Sequence, residues 1–139
     1  MKRSLFGVLL CLLMPVFCFA QEEDNTPKIN KKNLVIKEWN TDPKGGQRTL
    51  DHVTTYNADG RKVEEIEYNA SGQKWRKRYE LDATGKVTTE YVYDGRNRLQ
   101  TSKKFEYNHF GRKKVQYTYD AKGRLLSVKH FEYIVKEDN

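Results

Sequence analysis

Apolar and polar residues alternate along most of this chain. From Gln73 onward the large apolar and aromatic side chains fall on odd positions, among them Trp75, Tyr79, Leu81, Tyr91, Tyr93, Phe105, Tyr107, Val115, Tyr117 and Tyr119. The even positions carry Lys74, Arg76, Arg78, Glu80, Glu90, Lys104, Glu106, Lys114 and Thr118. A period of two is that of a β-strand with one apolar face. Before Gln73 the phase is even, on Tyr56, Ile66 and Tyr68, so the stretch 73–81 is expected to absorb the shift through a bulge. Val63 fits neither phase.

Short turn signals interrupt the alternation. Each unit reads aromatic or Leu, then Asn or Asp, two variable residues, Gly, and a polar or basic residue: Tyr56–Arg61, Tyr68–Gln73, Leu81–Lys86, Tyr93–Arg98, Tyr107–Arg112 and Tyr119–Arg124. Unit starts are 12, 13, 12, 14 and 12 residues apart, and a degenerate copy precedes them at Trp39-Asn40. The Asn or Asp side chain caps a type I turn, and the glycine takes positive φ and closes the hairpin with a bulge. Gly60, Gly72, Gly85, Gly111 and Gly123 are the structural turn residues, and Asn97 replaces glycine in the remaining unit. Asparagine tolerates the left-handed region better than other non-glycine residues, so the exception supports the turn.

The segments between turns, 61–68, 73–81, 86–93, 98–107, 112–119 and 124–133, have strand length, and two earlier strands are expected near 33–39 and 47–56. Tight turns place each strand beside its predecessor. The predicted fold is all-β: an antiparallel meander of about eight short strands linked by type I turns with a glycine bulge, forming a curled single sheet or a small barrel. A single aromatic face of this size has to be covered, by curling, by a homodimer through that face or a sheet edge, or by a partner. Leu34-Val35-Ile36 and Leu125-Leu126 with Val128 are apolar on both faces, which suggests that the two end strands meet or are covered.

The N-terminus reads differently. Lys2 and Arg3 precede an apolar run from Leu5 to Phe17, and Cys18-Phe19-Ala20 stands before the acidic Gln21-Glu22-Glu23-Asp24. That is a cleavable secretory signal, with the cut expected after Ala20, and its apolar run falls short of the ~20 residues of a spanning helix. Neither Cys11 nor Cys18 has the small residue expected before a lipidated cysteine. The expected organisation is a signal peptide at 1–20, a flexible segment at 21–32, the repeat domain at 33–133 and a polar tail at 134–139. The product is expected in the periplasm, outside the cell or at the cell envelope.

Both cysteines lie in the signal, so the mature chain has no disulfide, thiolate ligand or thiol nucleophile. Losing Lys2 and Arg3 lowers the net charge from +7 to +5. That excess favours an acidic glycan or an acidic protein surface as partner, and export argues against nucleic acid. His52, His109 and His130 show no metal-ligand spacing, and no serine has a base partner in sequence. Glu64, Glu65 and Glu67 are the nearest approach to paired catalytic carboxylates, and alternation assigns Glu65 and Glu67 to the solvated polar face. No catalytic, metal or cofactor site is expected. The candidate binding residues are the basic positions of the polar face, Lys74, Arg76, Arg78, Lys104 and Lys114.

The unit Tyr-Asn/Asp-x-x-Gly-Arg/Lys, recurring over about 39–133, resembles the YD repeat of the RHS family, and less closely the MORN-type repeat. The RHS resemblance implies a β-repeat architecture and, for some members, carbohydrate binding. The chain is short and lacks that family's core and toxin regions, so a shell function does not carry over. The functional expectation is a non-enzymatic exported repeat protein binding a glycan or protein at the cell envelope. The alternatives are an immunity or accessory partner of another secreted protein, such as a toxin, and an enzyme of unknown type.

Overall fold

The structure, a computed structural model, describes residues 28–136. The expected signal peptide at 1–20 lies outside the described residues. Eight strands form one antiparallel sheet in chain order: β1 Val35–Asn40, β2 Thr49–Tyr56, β3 Lys62–Asn69, β4 Gly72–Leu81, β5 Val87–Asp94, β6 Leu99–Tyr107, β7 Lys113–Asp120 and β8 Leu125–His130. β1 and β8 are the two edges and do not pair, so the sheet is open and the barrel alternative is set aside. β8 ends at His130, short of the expected 133. The Phe131 N–H still reaches the Lys114 carbonyl (3.1 Å).

The turns follow from their side chains. At Asn57 the backbone N–H donates to the Arg61 carbonyl (2.9 Å) and the Gly60 N–H donates to the Asn57 carbonyl (2.9 Å). The Asn57 side-chain oxygen accepts from the N–H groups of Asp59 and Arg61, both at 3.0 Å. Asp82, Asp94, Asn108 and Asp120 repeat the arrangement, so each turn satisfies its own backbone donors. φ is +72° at Gly60, +107° at Gly72, +82° at Gly85, +57° at Asn97, +75° at Gly111 and +79° at Gly123.

One feature of the hairpins overturns the single aromatic face. The turn with its glycine bulge pairs Tyr56 with Lys62, a register in which even faces even. A second bulge follows immediately, with Val63 as the extra residue, and pairs Thr55 with Glu64. The four hairpins from β4 to β8 repeat this shift, so odd positions of one strand lie opposite even positions of the next: Arg78 faces Tyr91, Lys104 faces Tyr117 and Phe105 faces Gln116. β3–β4 is the exception. Its tighter turn pairs Asn69 with Gly72, and its bulge at Lys74 leaves odd opposite odd, Glu67 with Trp75.

Directly opposite residues share a face, so the aromatics divide between the two. Face A carries Trp75, Tyr79 and Phe105 together with His52, Glu65 and Glu67. Face B carries Tyr91, Tyr93, Tyr117, Tyr119 and Val115 together with Arg76, Arg78 and Lys104. Glu65 and Glu67 therefore lie on the face of Trp75 and Tyr79, and not on a separate polar face. Val63 has its account as a bulge residue.

The consequence for packing is a sheet one layer thick. Among the described residues Val53, Phe105 and Val115 are the buried apolar ones, at 9%, 9% and 5% exposure, and no large side chain falls below 2%. Aromatic rings are covered in place by the stems and charges of neighbouring cations. Arg76 lies over Tyr93 (5.2 Å to the ring centroid), Lys77 over Trp75 (4.9 Å), Lys104 over Tyr119 (5.7 Å) and Lys113 over Phe105 (4.0 Å). Long basic side chains shield apolar surface while their charges stay in water, which removes the need for a second layer. The end strands lack this cover: Val35, Ile36, Leu125, Leu126 and Val128 are all exposed.

A regular contact links alternate turns, which share an edge of the sheet. The Tyr107 hydroxyl donates to the Val87 carbonyl (2.6 Å) and the Tyr133 hydroxyl to the Lys113 carbonyl (2.7 Å), each tying a strand end to the hairpin before it. Leu81 occupies the same place opposite Lys62 and has no hydroxyl. Leu81→Tyr is expected to add this bond, raising stability by about 1 kcal/mol and the melting temperature by about 4–8 °C. A thermal melt showing no increase contradicts the equivalence.

Candidate binding surface

The five basic residues singled out by alternation do not form one stripe. Arg76, Arg78 and Lys104 share face B, but Arg76 Nε donates to Glu64 (2.9 Å) and Arg78 Nε stands 4.0 Å from the same carboxylate. Lys74 and Lys114 are the extra residues of their bulges, and Lys74 reaches across to Glu67 on face A (3.8 Å). The stripe is taken apart by the inward bulges, which shift register where simple alternation assumes none.

Face A holds a polar cluster. His52 Nδ1 lies 3.2 Å from Glu67 and its Nε2 4.0 Å from Glu65, with Trp75 edge-on to the imidazole at 5.9 Å. Lys62 donates to Glu65 (2.7 Å), and so does the Tyr79 hydroxyl. Burial alone would raise the Glu65 pKa. The hydrogen bonds from Lys62 and Tyr79 and the charges of Lys62 and Lys77 outweigh it and hold the carboxyl below its usual range. Burial and the facing Glu65 push the Tyr79 phenol well above its ordinary value. Glu65 and Glu67 thus act as acceptors for nearby donors. Among the described residues no group of three or more His, Cys, Asp or Glu is placed to hold a metal ion.

The turn aspartates are depressed as well. The Thr84 hydroxyl leads at Asp82, the Arg98 backbone N–H at Asp94 and the Arg124 backbone N–H at Asp120. A carboxylate with a lowered folded pKa stabilises the fold above the unfolded value of about 3.9, and that stability is lost as pH falls through the lower folded value. Asn57 and Asn108 make the same bonds without titrating. The Asp82→Asn, Asp94→Asn, Asp120→Asn triple variant is therefore expected to flatten the fall of melting temperature below about pH 4. An unchanged acid slope contradicts this.

Part of the charge that no carboxylate matches lies on the turns. Hairpins alternate between two edges. The first edge holds the turns Asn57–Arg61, Asp82–Lys86 and Asn108–Arg112, together with Lys31 beside Gly60. The second holds Asp94–Arg98 and Asp120–Arg124 with the short β3–β4 turn. On the second edge Arg98 is paired to Asp94 (2.7 Å) and Arg124 to Asp120 (2.6 Å), while among the described residues Arg96 and Lys122 of the same turns have no carboxylate within ion-pair distance. On the first edge, among the described residues, Lys31, Arg61, Lys86 and Arg112 have no carboxylate within ion-pair distance.

The fold and this surface define an open, single-layer antiparallel β-meander built from hairpin repeats. No family model and no curated protein matches the chain. Among solved structures it is similar to a chain in the crystal structure of accessory secretory protein 1, 2 and 3 in Streptococcus pneumoniae, with TM-score 0.35 and 16% identity. The match covers 69% of this chain and 17% of that one.

Proposed function

We propose that this chain is an exported, non-enzymatic repeat protein that binds an acidic glycan or an acidic protein at the cell envelope. The observation that supports it most is the distribution of charge. On the two faces Lys62, Arg76, Arg78 and Lys103 are engaged by carboxylates of the protein itself, whereas among the described residues Lys31, Arg61, Lys86 and Arg112 on the first turn edge have no carboxylate within ion-pair distance. An unpaired basic row attracts polyanions over about a Debye length, ~8–10 Å at physiological salt. The mature protein is expected to bind acidic envelope glycans or proteins, with affinity falling as salt rises, and to leave them chemically unchanged. Absence of binding to every acidic ligand at low salt overturns this reading, and turnover of a bound ligand overturns its non-enzymatic half.

The accessory-partner reading draws on a different feature, the exposed apolar edge strands β1 and β8, which offer unpaired backbone for strand addition by another chain. A monodisperse monomer that co-purifies with nothing counts against it.

A further inference from the structure

We propose that the first turn edge is the ligand-binding site and takes a linear uronic-acid polysaccharide lying across the strand ends, an inference that rests on the acidic-partner reading above. Lys31, Arg61, Lys86 and Arg112 form four rungs, one from each successive position on that edge. Neighbouring rungs are two strands apart, about 9.5 Å from the ~4.7–4.9 Å strand spacing.

Three of the four rungs lie against the glycine of the next hairpin. The Lys31 side chain lies against Gly60, the Arg61 guanidinium on Gly85 and the Lys86 ammonium on Gly111. A β-carbon on Gly85 would come within 2.8 Å of Arg61 Nε, and one on Gly111 would overlap the Lys86 ammonium. Three rungs also sit over rings: Lys31 over Tyr56 (5.4 Å), Lys86 over Tyr107 (5.4 Å) and Arg112 over Tyr133 (5.2 Å). The second edge is built differently: the residue after Gly72 is the uncharged Gln73, whose side-chain amide donates to Asn97 (3.0 Å) and to the Asp94 carbonyl (2.9 Å), and Arg76 also reaches Asn97 (3.3 Å). Gly72 and Gly123 face open space, and that is the edge where Asn97 stands in for glycine. Glycine on the first edge thus has a second task, leaving room for a cation. Side chains held in this way lose less freedom when a ligand arrives.

Charge density argues against a nucleic-acid duplex. The rungs supply one cation per about 9.5 Å, whereas duplex DNA carries one charge per ~1.7 Å. A groove of about 360 Å³ between the first two turns is lined by Asn57, Asp59, Arg61, Leu81, Asp82 and Thr84. Asp59 and Asp82 would repel closely spaced phosphates. The same carboxylates can accept from sugar hydroxyls and the Asn57 side-chain N–H groups can donate to them, contacts that a uronic-acid chain offers beside the carboxylate on each sugar.

The test uses polygalacturonate, galacturonate oligomers, neutral dextran and single-stranded poly-dT against the mature protein. The Arg61→Gln, Lys86→Gln, Arg112→Gln triple is expected to weaken polygalacturonate binding by about 30-fold or more. The Arg76→Gln, Arg78→Gln, Lys104→Gln triple removes the same charge from face B and is expected to change it by less than about 3-fold. With the unaltered protein, affinity is expected to rise with oligomer length until the oligomer spans about 28 Å, the reach of the four rungs. Equal losses in both triples, or affinity independent of length, overturn the edge site while leaving an acidic-partner role standing. Poly-dT binding as tightly as polygalacturonate overturns the glycan assignment. Binding of no polyanion at all removes both this inference and the reading beneath it.

Discussion

Phe105→Ala is expected to destabilise the sheet by about 3 kcal/mol, the lower end for removing a buried phenylalanine. Phe105 is one of three buried apolar side chains among the described residues, 9% exposed in the middle of face A on β6, with the Lys113 ammonium 4.0 Å from its ring centroid. Truncation removes the ring that the Lys113 stem packs on, and no second layer exists to collapse into the space. Domains of this size have only about 5–15 kcal/mol of total stability, so one truncation takes a large share. Phe110 provides the contrast. It projects from the Asn108–Arg112 turn at 76% exposure, and Phe110→Ala is expected to stay within about 0.5 kcal/mol. Urea unfolding of both variants measures the difference. A Phe105→Ala cost no greater than that of Phe110→Ala contradicts the packing described for face A.

Glu65→Ala is expected to cost about 2 kcal/mol at neutral pH, in the range for hydrogen bonds to charged groups. Glu65 accepts from Lys62 and Tyr79 together and stands 17% exposed between them. Its removal leaves the Tyr79 hydroxyl half-buried without its acceptor. Because the folded pKa lies below the ordinary value of 4.5, the contribution is present above that pH and disappears as pH falls through the folded value. The wild-type and variant stabilities should therefore converge in acid. A constant difference from pH 7 to pH 3 would show that the carboxylate charge is not the cause.

Much of the architecture was legible in the chain. The Asn/Asp-x-x-Gly spacing marks the turns, and the strand ends fall within a few residues of those it implies, because turn chemistry is local and each turn satisfies its own hydrogen bonds. The face assignment was not legible. It depends on a bulge in the strand after each of the six repeat turns, at Val63, Lys74, Thr88, Gln100, Lys114 and Leu126, and these residue types have nothing in common. A single extra residue moves an entire strand to the other face, so a bulge without a residue signature changes everything that alternation predicts. That is why Lys74 and Lys114 looked like members of a stripe with Arg76, Arg78 and Lys104.

The first turn edge could have been found from sequence. In a meander alternate turns share an edge, so Gly60-Arg61, Gly85-Lys86 and Gly111-Arg112 had to lie together. The clue was Asn97, whose turn belongs to the other edge. Asparagine meets the demand for positive φ, but its β-carbon would occupy the space that Arg61 and Lys86 use at Gly85 and Gly111.

The division of aromatics between two faces underlies the rest, since it lets the rings of the inner strands be covered in place by neighbouring cations. Nuclear Overhauser effects in solution test it directly. The account predicts contacts from the Tyr91 ring to the Arg78 side chain and from the Tyr79 ring to Glu90, the residues directly opposite them. Ring-to-ring contacts between Tyr79 and Tyr91 would place them on one face and contradict it.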